Sequence, residues 1–315
     1  MDGNAGGFYD PPHSRIRPKP IAMPLRTLPA LPTLAQLNAA DAAAFLDHLG
    51  GVFEHAPWVA AAVVGERPYA STDALHRAML AAVAACPEEA RVALFNGHPE
   101  LAGAAARLGQ MTSDSVREQG GLALGALDAA DGARWDALNA AYRARFGFPF
   151  ILCIKRHTRA TALAVFEARL ANDLATELAG TLAEIGRITR LRLAERIADH
   201  GLDGLHGSVA VQVLDSRRGL PAQGLRVTLH DADGALLAAS VEEGCGLTLL
   251  AGAPLRMGRY ELRLHLGDYH RQPGTAAGLL DVVPIAFAID APEAGYRFTL
   301  SVAPWAYSVA CTREG

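Results

Sequence analysis

Three residues in the first two thirds of the sequence are of types that perform acid–base chemistry on an anionic substrate. His98 precedes Pro99, Glu118 follows Ser115 by three residues, and Arg192 lies in an amphipathic run. A histidine exchanges a proton near neutral pH, and a carboxylate beside it can fix its orientation. An arginine can grip a carboxylate or a ring carbonyl with two parallel hydrogen bonds.

The same residues also have ordinary structural interpretations. Ser115-x-x-Glu118 is a capping box, in which both side chains serve backbone N–H groups at the start of a helix. A histidine before a proline is usually a loop residue, and an arginine on an amphipathic helix is usually solvated. Arg187 and Arg190 lie close to Arg192, so the sequence does not single out one arginine.

Helices are the elements that must position these residues. Between residues 33 and 199, hydrophobic residues recur three or four apart, and glycines and prolines fall between the runs. Asn38 or Asp41 could cap the first long run, and Asn172 and Asp173 precede the last one. We therefore predict an all-α helical bundle over residues 33–199. Residues 1–32, rich in Pro and Gly, are expected to form a flexible tail.

Alternating hydrophobic residues replace the helical period after a glycine-rich linker at residues 200–207. Val209, Val211 and Val213 alternate with small or polar residues, and turn residues separate the later runs at hairpin-like intervals. This pattern predicts an antiparallel β-sandwich over residues 208–315. Because helices and strands do not interleave, two folding units are expected.

Length, charge and cysteine usage narrow the class of protein. A chain of 315 residues exceeds what one core usually holds, and its net charge of −4 gives no basic surface for nucleic acid. No stretch approaches the ~18 apolar residues of a membrane span, and no signal pattern precedes the tail. We therefore expect a cytoplasmic protein without a membrane or nucleic-acid partner. The scattered cysteines predict reduced thiols, with neither disulfides nor a metal site, at Cys86, Cys153, Cys245 and Cys311.

Five blocks of residues follow one another along the helical part. They are Phe53-Glu-His-Ala-Pro-Trp58 with Arg67-Pro-Tyr69, Phe95-Asn-Gly-His-Pro-Glu-Leu-Ala102, Thr112-Ser-Asp-Ser-Val-Arg-Glu-Gln119, Leu138-Asn-Ala-Ala-Tyr-Arg-Ala-Arg-Phe-Gly-Phe-Pro-Phe-Ile151 and Ile188-Thr-Arg-Leu-Arg-Leu193. In order and spacing, across roughly residues 33–195, they resemble the 2-oxo-4-hydroxy-4-carboxy-5-ureidoimidazoline (OHCU) decarboxylase family.

The resemblance implies a carboxy-lyase of urate degradation and purine metabolism that converts OHCU into (S)-allantoin without a cofactor or metal. It assigns catalysis to His98, Glu118 and Arg192. It assigns substrate binding to Pro99, Ser115 and Gln119, and we add Phe148 and Ile151 as further candidates. Loss of CO₂ leaves an electron pair on the ring, which is delocalised into adjacent unsaturation and then protonated on one face. Preorganised donors could support that step without a metal.

The β part carries a second resemblance, to the 5-hydroxyisourate hydrolase family with its transthyretin fold. It rests on Val211-Gln-Val-Leu-Asp-Ser-Arg-Arg-Gly-Leu-Pro-Ala-Gln-Gly-Leu-Arg-Val227 and on Tyr296-Arg-Phe-Thr-Leu-Ser-Val-Ala-Pro-Trp-Ala-Tyr-Ser308. The departures are informative. Gln212 stands where the family has its first active-site histidine, and Cys245 stands where it has an arginine. The family's His-x-His motif is replaced here by Gly295-Tyr-Arg297. Ser308 is kept without a base to activate it.

These observations lead to one main hypothesis and two alternatives. The main hypothesis is an OHCU decarboxylase whose hydrolase-like domain is inactive and serves assembly into a homo-oligomer, a dimer or a tetramer. The first alternative is a bifunctional hydrolase and decarboxylase. The second is a non-enzymatic scaffold.

Overall fold

The computed structural model describes residues 30–103, 114, 127–252, 255–272 and 278–314, so almost all of the predicted tail lies outside the description. Helices form the first part: α1 Leu34–Ala39, α2 Ala42–Leu49, α3 Pro57–Val63, α4 Thr72–Ala84, α5 Glu88–Asn96, α6 Ala129–Phe146, α7 Arg159–Arg169 and α8 Leu174–Ala194, with 3₁₀ turns at Val64–Glu66 and Ile154–Arg156. Within the described ranges, no helix combines the length and the hydropathy needed to cross a membrane.

Side-chain caps start the helices where the sequence pattern places them. The Asp41 carboxylate accepts a hydrogen bond from the Ala44 N–H at 2.8 Å, and the Asp173 carboxylate accepts one from the Thr176 N–H at 2.7 Å. Each cap satisfies a backbone donor that the first helical turn leaves without a partner. Of the two candidates for α2, Asn38 and Asp41, the structure uses the aspartate.

Aromatic rings form the centre of the helical core. Phe150 stacks on Phe166, with ring centroids 3.9 Å apart and planes within 8° of parallel. Tyr142 makes tilted or edge contacts with the rings around it, namely Phe146, Phe148, Phe150 and Phe166. These rings join α6, α7 and the segment after α6, so their packing fixes the path of that segment.

A buried carboxylate ties α6, α7 and α8 together. Glu177 is fully buried and accepts hydrogen bonds from Arg169 Nε at 2.8 Å, from Asn172 Nδ2 at 2.7 Å and from the Tyr142 hydroxyl. A buried carboxylate is costly unless a cation and several donors satisfy it. The three contacts therefore hold the relative positions of the helices that surround the aromatic core.

The second part of the chain forms two sheets. The strands are β1 Ser208–Asp215, β2 Leu220–Pro221, β3 Arg226–Asp231, β4 Leu236–Val241, β5 Leu247–Ala251, β6 Gly258–His265, β7 Val282–Ile289, β8 Gly295–Ala303 and β9 Ala306–Glu314, with helix α9 Leu266–His270 after β6. One sheet has the order β2-β1-β8-β9 with β5 also on β1, and the other has the order β4-β3-β6-β7. Their inward-facing residues form one hydrophobic core.

One strand pair corrects the prediction of a wholly antiparallel sandwich. Strand β8 runs parallel to β1, with Gln212 opposite Thr299, whereas the other pairs are antiparallel. The alternation of inward and outward side chains is the same in both kinds of pair, so the sequence pattern carries no information about strand direction.

The helical and β parts have separate cores joined by specific contacts. The helical core extends to Leu202, and the β core begins at Val209. Across the boundary, Arg156 Nε donates to Glu293 Oε1 at 2.5 Å, and the Met257 N–H donates to the Arg156 carbonyl at 2.6 Å. The helical and β cores therefore divide within the predicted linker, and polar contacts hold the two parts together.

His76 and His157 are two of the buried histidines of the helical part. His76 on α4 hydrogen-bonds Thr189 on α8 at 2.9 Å, and His157 pairs in a bridge with Met257. Burial lowers the pKa of each imidazole to about 4, from an ordinary value near 6.5. Both rings are therefore neutral in the folded protein at neutral pH.

We predict that folding stability falls as the pH is lowered from about 6.5 towards 4. In this window the unfolded histidines bind protons and the folded ones do not, so stability rises with pH. Each such histidine contributes a slope of at most about 1.4 kcal/mol per pH unit. Denaturant titrations across this range measure the effect. His76→Gln should reduce the slope, and an unchanged slope in that variant would contradict the assignment.

Candidate active site

His98 lies in the turn that ends α5. The backbone N–H of Gly97 bonds to the Leu94 carbonyl, and that of His98 bonds to the Phe95 carbonyl at 3.0 Å. These bonds close the last helical turn and direct the imidazole inward, where it is 8 % exposed. The block Phe95-Asn-Gly-His-Pro thus forms a helix end that places a histidine in the interior.

The contacts of the His98 ring favour one tautomer. Nδ1 lies 3.3 Å from the Leu94 carbonyl oxygen, an acceptor, so Nδ1 carries the proton and donates it. Nε2 is buried and meets no hydrogen-bond partner among the described residues. Burial lowers the pKa of His98 to about 4, Glu54 opposes the shift, and Arg192 adds to it. The geometry therefore presents a neutral imidazole with an available lone pair on Nε2.

Arg192 faces the same interior region from the last turn of α8. Its Nη1 lies 2.8 Å from Glu54 Oε2 and donates to the Val52 carbonyl at 3.3 Å. Both side chains of this ion pair are only 2 % exposed. A guanidinium this deeply buried requires a carboxylate and carbonyl partners, because an unpaired buried charge is strongly destabilising.

Besides the end of α5 and the last turn of α8, the segment from residue 150 to residue 154, which follows α6, forms a wall of the site. The Ile151 carbonyl accepts a hydrogen bond from Arg169 Nη1 at 2.9 Å, and the Cys153 N–H donates to Glu184 Oε2 at 2.9 Å. The backbone at Leu101, which also lines the site, is held in the same way: Asn139 Nδ2 donates to the Leu101 carbonyl at 2.9 Å. Buried polar side chains thus hold the irregular backbone that a cavity wall needs.

These elements enclose a cavity of about 40 Å³. Its described lining consists of His98, Pro99, Leu101, Phe150, Ile151, Leu152, Cys153, Ile154, Lys155, Ile188, Leu191 and Arg192. The structure thus brings together four of the residues that the sequence nominated: His98, Arg192, Pro99 and Ile151. Three further candidates, Ser115, Glu118 and Gln119, lie outside the described residues.

Phe148 is placed differently from the expectation. It is fully buried and packs against Phe95 and Tyr142 with ring centroids 5.2 and 5.9 Å away, and it does not appear in the described lining of the cavity. Phe150 lines the cavity in its place. Phe148 and Phe150 are of the same type and lie two positions apart, so the sequence alone could not distinguish which of them lines a cavity.

The structure also separates the three neighbouring arginines. Arg190 pairs with Asp73 at 2.6 Å, and Arg187 pairs with Glu184 at 2.7 Å. Neither is in the described lining of the cavity, whereas Arg192 is. Residues on a helix are about 100° apart, so Arg190 and Arg192 necessarily occupy different faces.

Glu54, the ion-pair partner of Arg192, is a charged residue of this site that the sequence did not nominate. It lies in the block Phe53-Glu-His-Ala-Pro-Trp58, which we quoted for its resemblance without assigning it a role. A carboxylate between residues that become buried, Phe53 and Ala56, is the signal that could have identified it, because such a group needs a cationic partner.

Neither domain shows a metal-binding arrangement in its described residues, where no group of three or more His, Cys, Asp or Glu side chains could hold an ion. In the β domain, the strand register places Gln212, Arg297 and Ser308 on one face of the sheet. Gln212 lies opposite Thr299, and Ser308 lies opposite Ser301. Residues two apart on a strand share a face.

This face carries no general base at the nominated positions. Arg297 pairs with Glu314 at 2.8 Å, in an ion pair that is about half exposed on both sides. Cys245 is exposed, in a turn where the Glu242 carboxylate accepts hydrogen bonds from the N–H groups of Gly244 and Gly246.

Comparisons with known proteins agree with this division. The profile of the OHCU decarboxylase family matches residues 38–194, and that of the HIUase/transthyretin family matches residues 209–310. A crystal structure of (S)-allantoin synthase superposes with a TM-score of 0.54 at 27 % identity, covering 89 % of this chain and 99 % of that one.

Curated relatives match the helical half. The 2-oxo-4-hydroxy-4-carboxy-5-ureidoimidazoline decarboxylase of Mus musculus is 35 % identical over 53 % of this chain and 94 % of its own length. The uric acid degradation bifunctional protein PucL of Bacillus subtilis (strain 168) is 38 % identical over 54 % of this chain, but the match spans only 33 % of PucL. The chain therefore belongs to the OHCU decarboxylase family and carries, after that domain, one that matches the HIUase/transthyretin family.

Proposed function

We propose that this protein is a carboxy-lyase that converts OHCU into (S)-allantoin and CO₂ in urate degradation. The observation that carries the proposal is the cavity that His98 and Arg192 both line, where the buried Nε2 of His98 meets no hydrogen-bond partner among the described residues. The family membership and the likeness to a structure of (S)-allantoin synthase support the same reaction.

Arg192 is the proposed binding group for the anionic end of the substrate. Its guanidinium is held by Glu54 and by the Val52 carbonyl, so its orientation is set before the substrate arrives. In a buried site, electrostatic interactions are stronger than in water, and fixed donors need no reorganisation during the reaction. Pro99 and Ile151 would pack against the ring, and we propose that Ser115 and Gln119 add neutral hydrogen bonds.

The proposed reaction breaks one carbon–carbon bond and moves one proton within the substrate. CO₂ leaves, and the electron pair of the broken bond is delocalised into the adjacent carbon–nitrogen double bond. A proton from solvent neutralises the negative charge that the carboxylate brought. The hydroxyl proton passes to Nε2 of His98, and His98 returns it to one face of the neighbouring ring carbon, which sets the S configuration.

Glu118 is proposed to assist His98 in this transfer, as the resemblance implies. Glu54 has a separate role in the proposal, because it balances the charge of Arg192 and opposes the loss of basicity that burial imposes on His98. A positioning role for Glu54 is consistent with its distance to the guanidinium of 2.8 Å.

We predict that His98→Ala lowers kcat by at least ~100-fold, because it removes the group that moves the proton. OHCU is made freshly from urate by other enzymes, and optically active allantoin is followed by circular dichroism. His76→Gln is a matched control, since it alters a buried histidine of similarly low pKa outside the cavity. A folded wild type that forms no (S)-allantoin would refute the proposed function.

We propose in addition that the β domain does not hydrolyse 5-hydroxyisourate. The support is the set of side chains on its exposed face: Gln212 has no basic nitrogen, Cys245 carries no positive charge, and Arg297 is paired with Glu314. The bifunctional alternative requires these groups to be replaced by others on the same face.

We expect 5-hydroxyisourate to disappear at the spontaneous rate when the protein is added without a separate hydrolase. The decay is followed by ultraviolet absorbance, with buffer alone as the reference. Gln212→Ala is the matched variant and should behave like the wild type. Consumption well above the spontaneous rate, reduced in Gln212→Ala, would establish the bifunctional alternative instead.

We further propose that the protein is a homo-oligomer assembled through its β domain. Strand β9 lies at one end of its sheet and is exposed along its whole length. Its apolar side chains Tyr307 and Val309 are among the exposed large hydrophobic groups. An exposed strand edge with apolar side chains is a ready template for pairing with another chain.

We predict that Val309→Lys lowers the mass in solution, measured by light scattering, to that of a smaller assembly or a monomer, because a charge on an apolar strand edge opposes pairing. The matched control is Leu236→Lys, which changes an exposed leucine on β4 of the other sheet. A mass equal to that of the wild type in both variants would exclude β9 as the contact.

The domain limits are part of the same proposal. We propose that residues 33–199 form one all-α bundle, residues 200–207 a linker, and residues 208–315 the second domain. The separation of the two hydrophobic cores between Leu202 and Val209 supports these limits.

A further inference from the structure

A second cavity, of about 160 Å³, lies between the two domains. Its helical side carries four permanent cations: Lys155, Arg156, Arg187 and Arg190. Its opposite side is formed by residues after the helical bundle, namely Gly204, Leu205, His206, Leu255, Pro292 and Glu293. We call this space the interdomain cavity.

The interdomain cavity adjoins the cavity that contains His98 and Arg192. Cys153, Lys155 and Leu191 line both spaces. The two cavities therefore share part of one wall. The interdomain cavity is the larger of the two, about 160 Å³ against about 40 Å³, and therefore has more room for a molecule on its way to the smaller one.

Each of the four cations in the described lining of the interdomain cavity has a carboxylate partner, but three of these carboxylates lie outside that lining. Glu293 is the carboxylate in its described lining, and it pairs with Arg156. The acids that pair with the other three cations do not appear in that lining: Glu195 pairs with Lys155, Glu184 with Arg187 and Asp73 with Arg190. A concave surface with low-dielectric walls focuses such a field and concentrates ions of the opposite sign.

The interdomain cavity depends on the presence of the second domain. The residues on its far side, from Gly204 onwards, lie beyond residues 38–194, which match the decarboxylase family. The OHCU decarboxylase of Mus musculus is matched over 94 % of its length by the helical half of this chain. The β domain therefore adds Leu255, Pro292 and Glu293 to a cavity whose four cations belong to the helical part.

We propose that the interdomain cavity is the entrance through which an anionic substrate reaches His98 and Arg192, with the β domain forming one wall. The proposal rests on the proposed decarboxylase function, which supplies a substrate that bears a carboxylate. Lys155 lines both cavities, and it binds the substrate carboxylate as the substrate moves from the interdomain cavity towards Arg192. The arginines Arg187 and Arg190 raise the local concentration of the anion without contacting the reacting atoms.

His206 offers a test that leaves the ion pairs of the interdomain cavity intact. It is exposed and lines this cavity, and burial of its ring together with the nearby Lys155 lowers its pKa. At pH 7.5 the side chain is therefore neutral. His206→Asp then adds one negative charge at the entrance, and His206→Lys adds one positive charge at the same place.

At low ionic strength, His206→Asp should lower kcat/KM for OHCU by about three- to tenfold, and His206→Lys should raise it, both with kcat unchanged. Both differences should shrink in about 0.5 M salt, where the screening length falls well below 10 Å. The matched controls are Ala137→Asp and Ala137→Lys, because Ala137 is exposed on α6 and lines neither cavity. They should leave kcat/KM and its salt dependence as in the wild type.

These measurements distinguish failure of the proposed decarboxylase function from failure of the proposed entrance. A wild type that forms no allantoin refutes the decarboxylase function and with it this entrance. An active wild type whose kcat/KM responds to neither charge at position 206, or responds equally at positions 206 and 137, refutes the entrance alone. In that case the interdomain cavity is only a packing gap between domains.

Discussion

The buried ion pair between Arg192 and Glu54 is the interaction on which the rest of the site depends. Both side chains are 2 % exposed, so each would be strongly destabilising without the other. The pair joins the last turn of α8 to the segment before α3, and it brings two opposite charges close to His98. A single constraint thus fixes the wall of the cavity and sets the electrostatic surroundings of the imidazole.

The neutrality of His98 follows from this arrangement. A lone carboxylate beside the ring would favour its protonated form, and a lone guanidinium would oppose it, whereas the pair largely cancels and burial decides the outcome. The neutral ring keeps a proton on Nδ1 and a lone pair on Nε2. A site that must accept a proton and then return it needs this state near neutral pH, and the protein obtains it by packing.

Much of this could be predicted from the sequence, and the remainder was missed for physical reasons. Local rules narrowed the cap of α2 to Asn38 or Asp41, and they identified the alternating strands, because both kinds of feature depend on neighbouring residues. The partner of Arg192 is 138 positions away in the sequence, so no local pattern reveals it. The parallel pairing of β1 and β8, and the burial of Phe148 beside its neighbours, likewise depend on contacts between distant segments.

Under the proposed function, the β domain contributes to the decarboxylase through its packing and its charges. The face of the β sandwich that carries Gln212 lacks a base at the nominated positions, yet a different part of this domain, around Leu255 and Glu293, encloses the positive interdomain cavity. The Arg156–Glu293 pair and the Met257–Arg156 backbone bond hold that part against the bundle. Selection on this contact would preserve the fold of the β domain without preserving its hydrolytic residues, because the enclosing wall requires packing and charge but no nucleophile.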